Sequence, residues 1–341
     1  MKRIVGTVLI AALGLATLTA CDPPYPPELV ETIYEQNPIC EAGLVPVKAL
    51  GRAEQLISTF NDTMIGLCPD MSIEINNENP ELTVSLDKPS SIEGVYAATP
   101  LFVDGGVAVT SFSSGVTLTL SLPVLFRILS GKINSWNDPQ IIELNKKVDP
   151  IDLPIIVNPV AHLKALEALE NWAKITKVPV PTTLLTVGED SPTIDLLSVE
   201  DGTISILPLS DVLNQGASPS SIKAGNVVSP TDTSVFAGAS QFKATNKGAI
   251  LNLVQDPSIE PELAKGAESA DTPYQAVFFG WQVLAGTDNL KTRAVGRFLL
   301  RMDEQGTLPG VSLIGLPTKI RQAATTLVSK GLKLPKVTIK K

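Results

Sequence analysis

One histidine, His162, serves the whole 341-residue chain, and only three cysteines accompany it. A single imidazole excludes histidine-rich metal centres and most serine–histidine or cysteine–histidine nucleophile pairs. No metal site and no cofactor is expected. Phosphate-cradling glycine loops are missing too: there is no Walker loop and no G-x-G-x-x-G. Positive charge is scarce. The formal net charge is −8, and no long Lys/Arg cluster stands out. A nucleic-acid partner is therefore excluded, because a phosphate backbone demands a basic footprint. Beyond the first 20 residues, no apolar run reaches membrane-spanning length.

What is present suits a folded protein with room for two domains. Hydrophobic residues make up 44% and charged residues 18%. Residues 1–20 read as a signal peptide: Lys2 and Arg3 form a charged start, and Ile4 to Ala16 a short apolar stretch. Leu18-Thr19-Ala20-Cys21 resembles the lipobox of bacterial lipoproteins, which implies that Cys21 is lipidated and tethers the chain to a membrane. Plain secretion or an uncleaved anchor are the alternatives. Without Lys2 and Arg3 the net charge is −10, 35 acidic against 25 basic residues. The segment 21–40 opens with DPPYPPE, a proline-rich extended spacer. Cys40 and Cys68 are the candidates for a disulfide in an exported chain, with two buried thiols as the alternative.

Element by element, 45–49 reads as a strand, and 53–65 as a helix with Leu56, Ile57, Phe60 and Met64 on one face. Residues 71–75 alternate as a half-buried strand does. Residues 76–91 are polar, broken by Pro80 and Pro89, and read as a loop. Strands are expected at 95–102, 105–110, 153–157 and 274–284. A helix is expected after Asn158, with Leu163, Leu166, Leu169 and Trp172 on its face. Later, Ala294, Val295, Phe298, Leu299 and Met302 mark one more helix face, and 320–328 another. The acidic pairs Glu189-Asp190 and Glu200-Asp201 read as solvated turns.

The most informative stretch is 119–144, TLSLPVLFRILSGKINSWNDPQIIEL. Ser121 suits an N-cap, Pro123 the first turn, and Gly131 a helix stop. Asn137 and Asp138 suit a turn before a second helix opening at Pro139. LSGKINSWNDPQI closely resembles a segment of the phosphate-binding proteins of phosphate ABC transporters. GGVAVT (105–110) resembles that family's strand crossing between lobes. GTISILPLSDVLNQG (202–216) and the helix after Leu316-Pro317 resemble further family segments.

The resemblance implies an α/β fold of the type II periplasmic-binding-protein kind, two lobes with a cleft between them. It places lobe 1 at 41–105 and 271–330, lobe 2 at 106–270, and a basic tail at 331–341. It implies a solute-binding protein, not an enzyme, that closes on a small-molecule or oxyanion ligand and docks onto an ABC permease. The alternative is a non-transport surface interaction or sensing module on the same fold. The family's phosphate-gripping motifs are missing. Gly51 and Arg52 stand in the first loop, where the family carries a glycine-rich turn and a Thr-Phe pair. Asn158 stands near the family arginine, and His162 and Lys164 stand near its Ser-Gly-Thr. These five are the candidate ligand-binding residues, with phosphate binding expected to be lost or weakened. Taken alone, His162 reads as an exposed polar residue at a helix start. Trp136 reads as packing within its loop rather than as a ligand-stacking residue.

Overall fold

The computed structural model describes residues 38–49, 52–264 and 271–333. Residues 1–20, read above as a signal peptide, Cys21, most of the expected spacer, Gly51 and most of the expected basic tail lie outside the described residues.

A single strand organises the fold. β4 (Val95–Ser111) runs for 17 residues and is buried from Ala97 to Thr110. Its first part pairs antiparallel with β14 (Val277–Ala285), as far as Gly105 opposite Val277. Its second part pairs antiparallel with β9 (Thr203–Pro208), starting at Gly106 opposite Pro208. The change of partner falls between two glycines, and the surroundings explain them. A Cβ on Gly106 would lie 2.2 Å from the Ala165 carbonyl oxygen, and one on Gly105 would lie 3.0 Å from Val235. Helices therefore press directly on the backbone where β4 passes from one lobe to the other.

On the first side the sheet continues from β14 through β3 (Leu82–Ser85) and β1 (Gly43–Lys48) to β2 (Met71–Ile75). β1 is parallel to both β2 and β3, while β14 is antiparallel to β3. α1 (Arg52–Leu67) covers this region, with Leu56, Ile57, Phe60 and Met64 each at most 1% exposed. Its period of 3.6 residues puts these four on one stripe, and burying that stripe drives docking. Cys40 and Cys68 are joined as a disulfide that ties the chain before β1 to the end of α1, with Cα atoms 5.3 Å apart.

On the second side lie β9, β6 (Ile156–Val157) and the small sheet β5 (Thr119–Ser121), β10 (Ser221–Ala224) and β11 (Asn226–Val228). The stretch 119–144 folds here as its capping residues dictate. In α2 (Leu122–Leu129) the Ser121 hydroxyl accepts the Val124 N–H, and Gly131 takes φ +72° just beyond. In α3 (Pro139–Leu144) Asp138 caps the Gln140 N–H. Asn145 then closes the unit, its side chain bonding both the N–H and the C=O of Thr119 at 2.8 Å. Trp136 is 1% exposed and donates its indole N–H to the Gly202 carbonyl at 2.8 Å. It packs the loop, edge-on to Phe112.

Three expectations are corrected. Residues 76–91 are not all loop: β3 lies within them, between β1 and β14, with Leu82 and Val84 buried. Its four-residue alternation is too short to outweigh the flanking prolines in a reading by period. The stretch 106–270 expected as lobe 2 does not lie wholly on the second side. β12 (Phe242–Lys247) and β13 (Ile250–Gln255) form a hairpin whose Ile250 pairs with Ala98, in the first part of β4. Met302 does not share the buried face of the helix Leu290–Phe298; it is 37% exposed and begins a new short helix. Among the described residues no helix is long and apolar enough to cross a membrane, and no group of His, Cys, Asp and Glu could hold a metal ion.

Candidate functional site

A cleft of about 880 Å³ opens where β4 passes between the lobes. Lys48, Gln55, the run Thr83 to Asp87, Phe102, Phe278 and Leu313 line it from the first side. His162, Asp190 to Pro192, Pro208, Ser210, Asp211 and Asn214 line it from the second. Asp104 sits at the junction.

Each wall follows from local structure. β3 runs out into the cleft at Ser85, so Leu86 and Asp87 project beyond the sheet. Phe102 lies against Gly280, where a Cβ would be 2.1 Å from its ring, so the absent side chain gives the ring its place. β7 (Val160–His162) pairs in parallel with β8 (Val187–Glu189), setting His162 opposite Glu189 and next to Asp190. His162 is also the N-cap of α4 (Leu163–Ile175), but its side chain makes no capping bond. The start of α4 therefore meets the cleft. α5 (Leu209–Asn214) begins there as well, carrying Ser210 and Asp211.

Asp104 is the most unusual group. It is 3% exposed and accepts three hydrogen bonds. They come from the Ser210 hydroxyl at 2.5 Å, the Gly105 N–H at 2.7 Å and the Ser210 N–H at 3.2 Å. Burial pushes its carboxyl up to about 7, against the pull of these donors and helped by the nearby charge of Asp211. His162 is pushed the other way: burial holds it below the ordinary imidazole range, although Asp211 and Asp190 pull it up. It is thus neutral at pH 7. Its ring lies over Phe278 at 6.2 Å, and its buried Nδ1 has no hydrogen-bond partner.

The candidate residues divide. His162 lines the cleft, and at 5% exposure it is not the exposed residue expected, because β8 and Phe278 cover it. Lys164 spans the lobes instead of pointing a free cation at a ligand. Its Nζ lies 2.8 Å from Asp87 and 3.1 Å from Glu167. Burial would lower its pKa, but those two carboxylates outweigh it and hold the ammonium in its charged form. Asn158 is spent within its own lobe, donating to the Ser205 hydroxyl at 3.2 Å and accepting the Val160 N–H at 3.1 Å. Gly51 lies outside the described residues. Arg52 is the first residue of α1, between the cleft-lining Lys48 and Ala53. Asp190, read as part of a solvated turn, is exposed yet lines the cleft. The Thr83–Asp87 wall and Asp104 were not legible as site residues. An aspartate inside a continuous apolar strand, FVDGGVAV, was the signal available for Asp104.

No family model matches this chain, and no curated protein matches it significantly. Solved structures share its fold. A putative phosphate ABC transporter substrate-binding protein from Clostridium perfringens, solved with bound phosphate, is 15% identical. The match covers 81% of this chain and 100% of that one, with a TM-score of 0.51. The ancestral soluble variant of the human phosphate-binding protein is 12% identical, over 83% of this chain and 93% of its own, also at 0.51. At such identities the likeness is one of fold. The chain has the two-lobed α/β fold of solute-binding proteins, and within that class the fold seen in phosphate-binding proteins.

Proposed function

We propose that this chain is a membrane-anchored, extracytoplasmic solute-binding protein related to the phosphate-binding component of an ABC importer, with phosphate binding lost or much weakened. The supporting observation for the loss is Asp104. Its carboxyl sits at the start of α5 and takes the Ser210 hydroxyl, the Ser210 N–H and the Gly105 N–H. Donors of this kind grip an oxyanion, and here an internal acid holds them. An incoming phosphate meets that acid and the carboxylates of Asp190 and Asp211, with Lys48 the cation among the described lining residues. Burying an anion beside like charges without its own donors costs several kcal/mol.

Binding rather than catalysis fits the same site. Within the cleft no nucleophile is bonded to His162 Nδ1. The two-lobed frame suits hinge closure on a ligand followed by docking onto a permease. Cys21 is proposed as the lipid attachment point, which would place the protein on the outer face of a bacterial membrane. Titrating the protein with inorganic phosphate by calorimetry tests the reading, with a dissociation constant weaker than about 1 mM expected. A micromolar or tighter constant overturns the proposed loss.

A further inference from the structure

Accepting that reading of the chain as a solute-binding protein, we infer that the cleft takes a small organic amine: a protonated nitrogen on an apolar body. The cleft geometry points to this in three ways. First, carboxyls converge on it from separate elements: Asp104 on β4, Asp211 on α5 and Asp190 just after β8. The charge of Asp211 is felt at both Asp104 and His162, and that of Asp190 at His162, so these groups share one space. Asp87, also in the lining, pairs with Lys164.

Second, the site contains an unanswered polar atom. His162 is only 5% exposed, is neutral, and has no partner at Nδ1. An ammonium donates to carboxylates and, with the ring proton on Nε2, to Nδ1 as well, whereas an oxyanion is repelled by the carboxylates. Third, Phe102, Phe278 and Leu313 supply an apolar wall, and Phe278 shares a stack with His162. Aromatic faces attract cations as well as carbon. The volume of about 880 Å³ suits a ligand of metabolite size.

The test uses the full chain in detergent, with phenethylamine, spermidine, inorganic phosphate and maltose as probes in thermal-shift and calorimetric titrations. At least one amine should raise the melting temperature with concentration and bind about tenfold or more tighter than phosphate. Asp104→Asn should weaken that amine about tenfold, and Asp190→Asn, at an exposed position that leaves the fold intact, should weaken it severalfold. Raising the salt from low to physiological strength should weaken it further. If maltose or phosphate binds and neither amine does, the amine assignment fails while the solute-binding reading stands. A flat response to all four probes removes both. Amine binding unchanged in both variants also overturns the assignment, since the carboxyls would then play no part.

Discussion

Asp104 carries a stability cost that depends on pH. Its folded-state pKa of about 7 lies above the ordinary 3.8, so the folded chain holds this proton more tightly than the unfolded chain does. By linkage, stability from this group is greatest at low pH, falls as pH rises from about 4 to about 7, and is lowest above 7. A rise of that size corresponds to roughly 4 kcal/mol as an order of magnitude. Asp104→Asn removes the ionisable group and keeps the contacts. The amide oxygen accepts the Gly105 and Ser210 N–H groups, and the amide nitrogen donates to the Ser210 hydroxyl. The variant should equal or exceed the parent in urea melts at pH 8, and its advantage should shrink as pH falls and vanish below about pH 4. A variant clearly weaker than its parent at pH 8 contradicts this account. Glu304 follows the same sign: burial first, then the charge of Asp303, raises it to about 7 against the pull of Arg301.

At the scale of elements, the docking of α4 onto β4 rests on a missing side chain. A Cβ at Gly106 would meet the Ala165 carbonyl oxygen at 2.2 Å, and backbone cannot step aside as a flexible side chain would. Gly106→Ala should therefore destabilise by about 1–3 kcal/mol. Gly66→Ala is the control: it lies in α1 with nothing within 4 Å, and should stabilise by about 0.5–1 kcal/mol. Melting temperatures that moved the same way in both would refute the packing argument. Elements with a strong local signal were legible in the sequence. The four apolar residues of α1 at helical spacing, the Ser121 cap, the turn at Asn137 and Asp138 before the helix opening at Pro139 and the Gly131 stop all hold. β3 was not, because a strand of four residues is defined less by its own pattern than by the two neighbours that hydrogen-bond it.

At the scale of the molecule, the disulfide fastens the start of the first lobe and the crossing strand joins that lobe to the second. Cys40 and Cys68 close a loop of 28 residues. The chain-entropy model assigns such a link about 3–4 kcal/mol. Reduction, or Cys68→Ala, should lower the melting temperature by several degrees; an unchanged melt on reduction would show that the link contributes nothing. Between the lobes, β4 is the common strand, and the Lys164–Asp87 pair bridges the mouth of the cleft. With Asp87 61% exposed, that pair contributes about 0.2–1 kcal/mol, enough to bias opening and too little to lock it.

The sequence alone determined the local elements, the scarcity of catalytic groups and the wording that resembles phosphate-binding proteins, because caps, periodicity and motifs act over a few residues. Only the tertiary structure decided that Asp104 takes the donors at the start of α5, 106 positions away. It likewise buried His162 under Phe278 and turned Lys164 toward Asp87. Those contacts depend on which strands pair and in what register, and a carboxyl's charge is set by what surrounds it once the chain has closed.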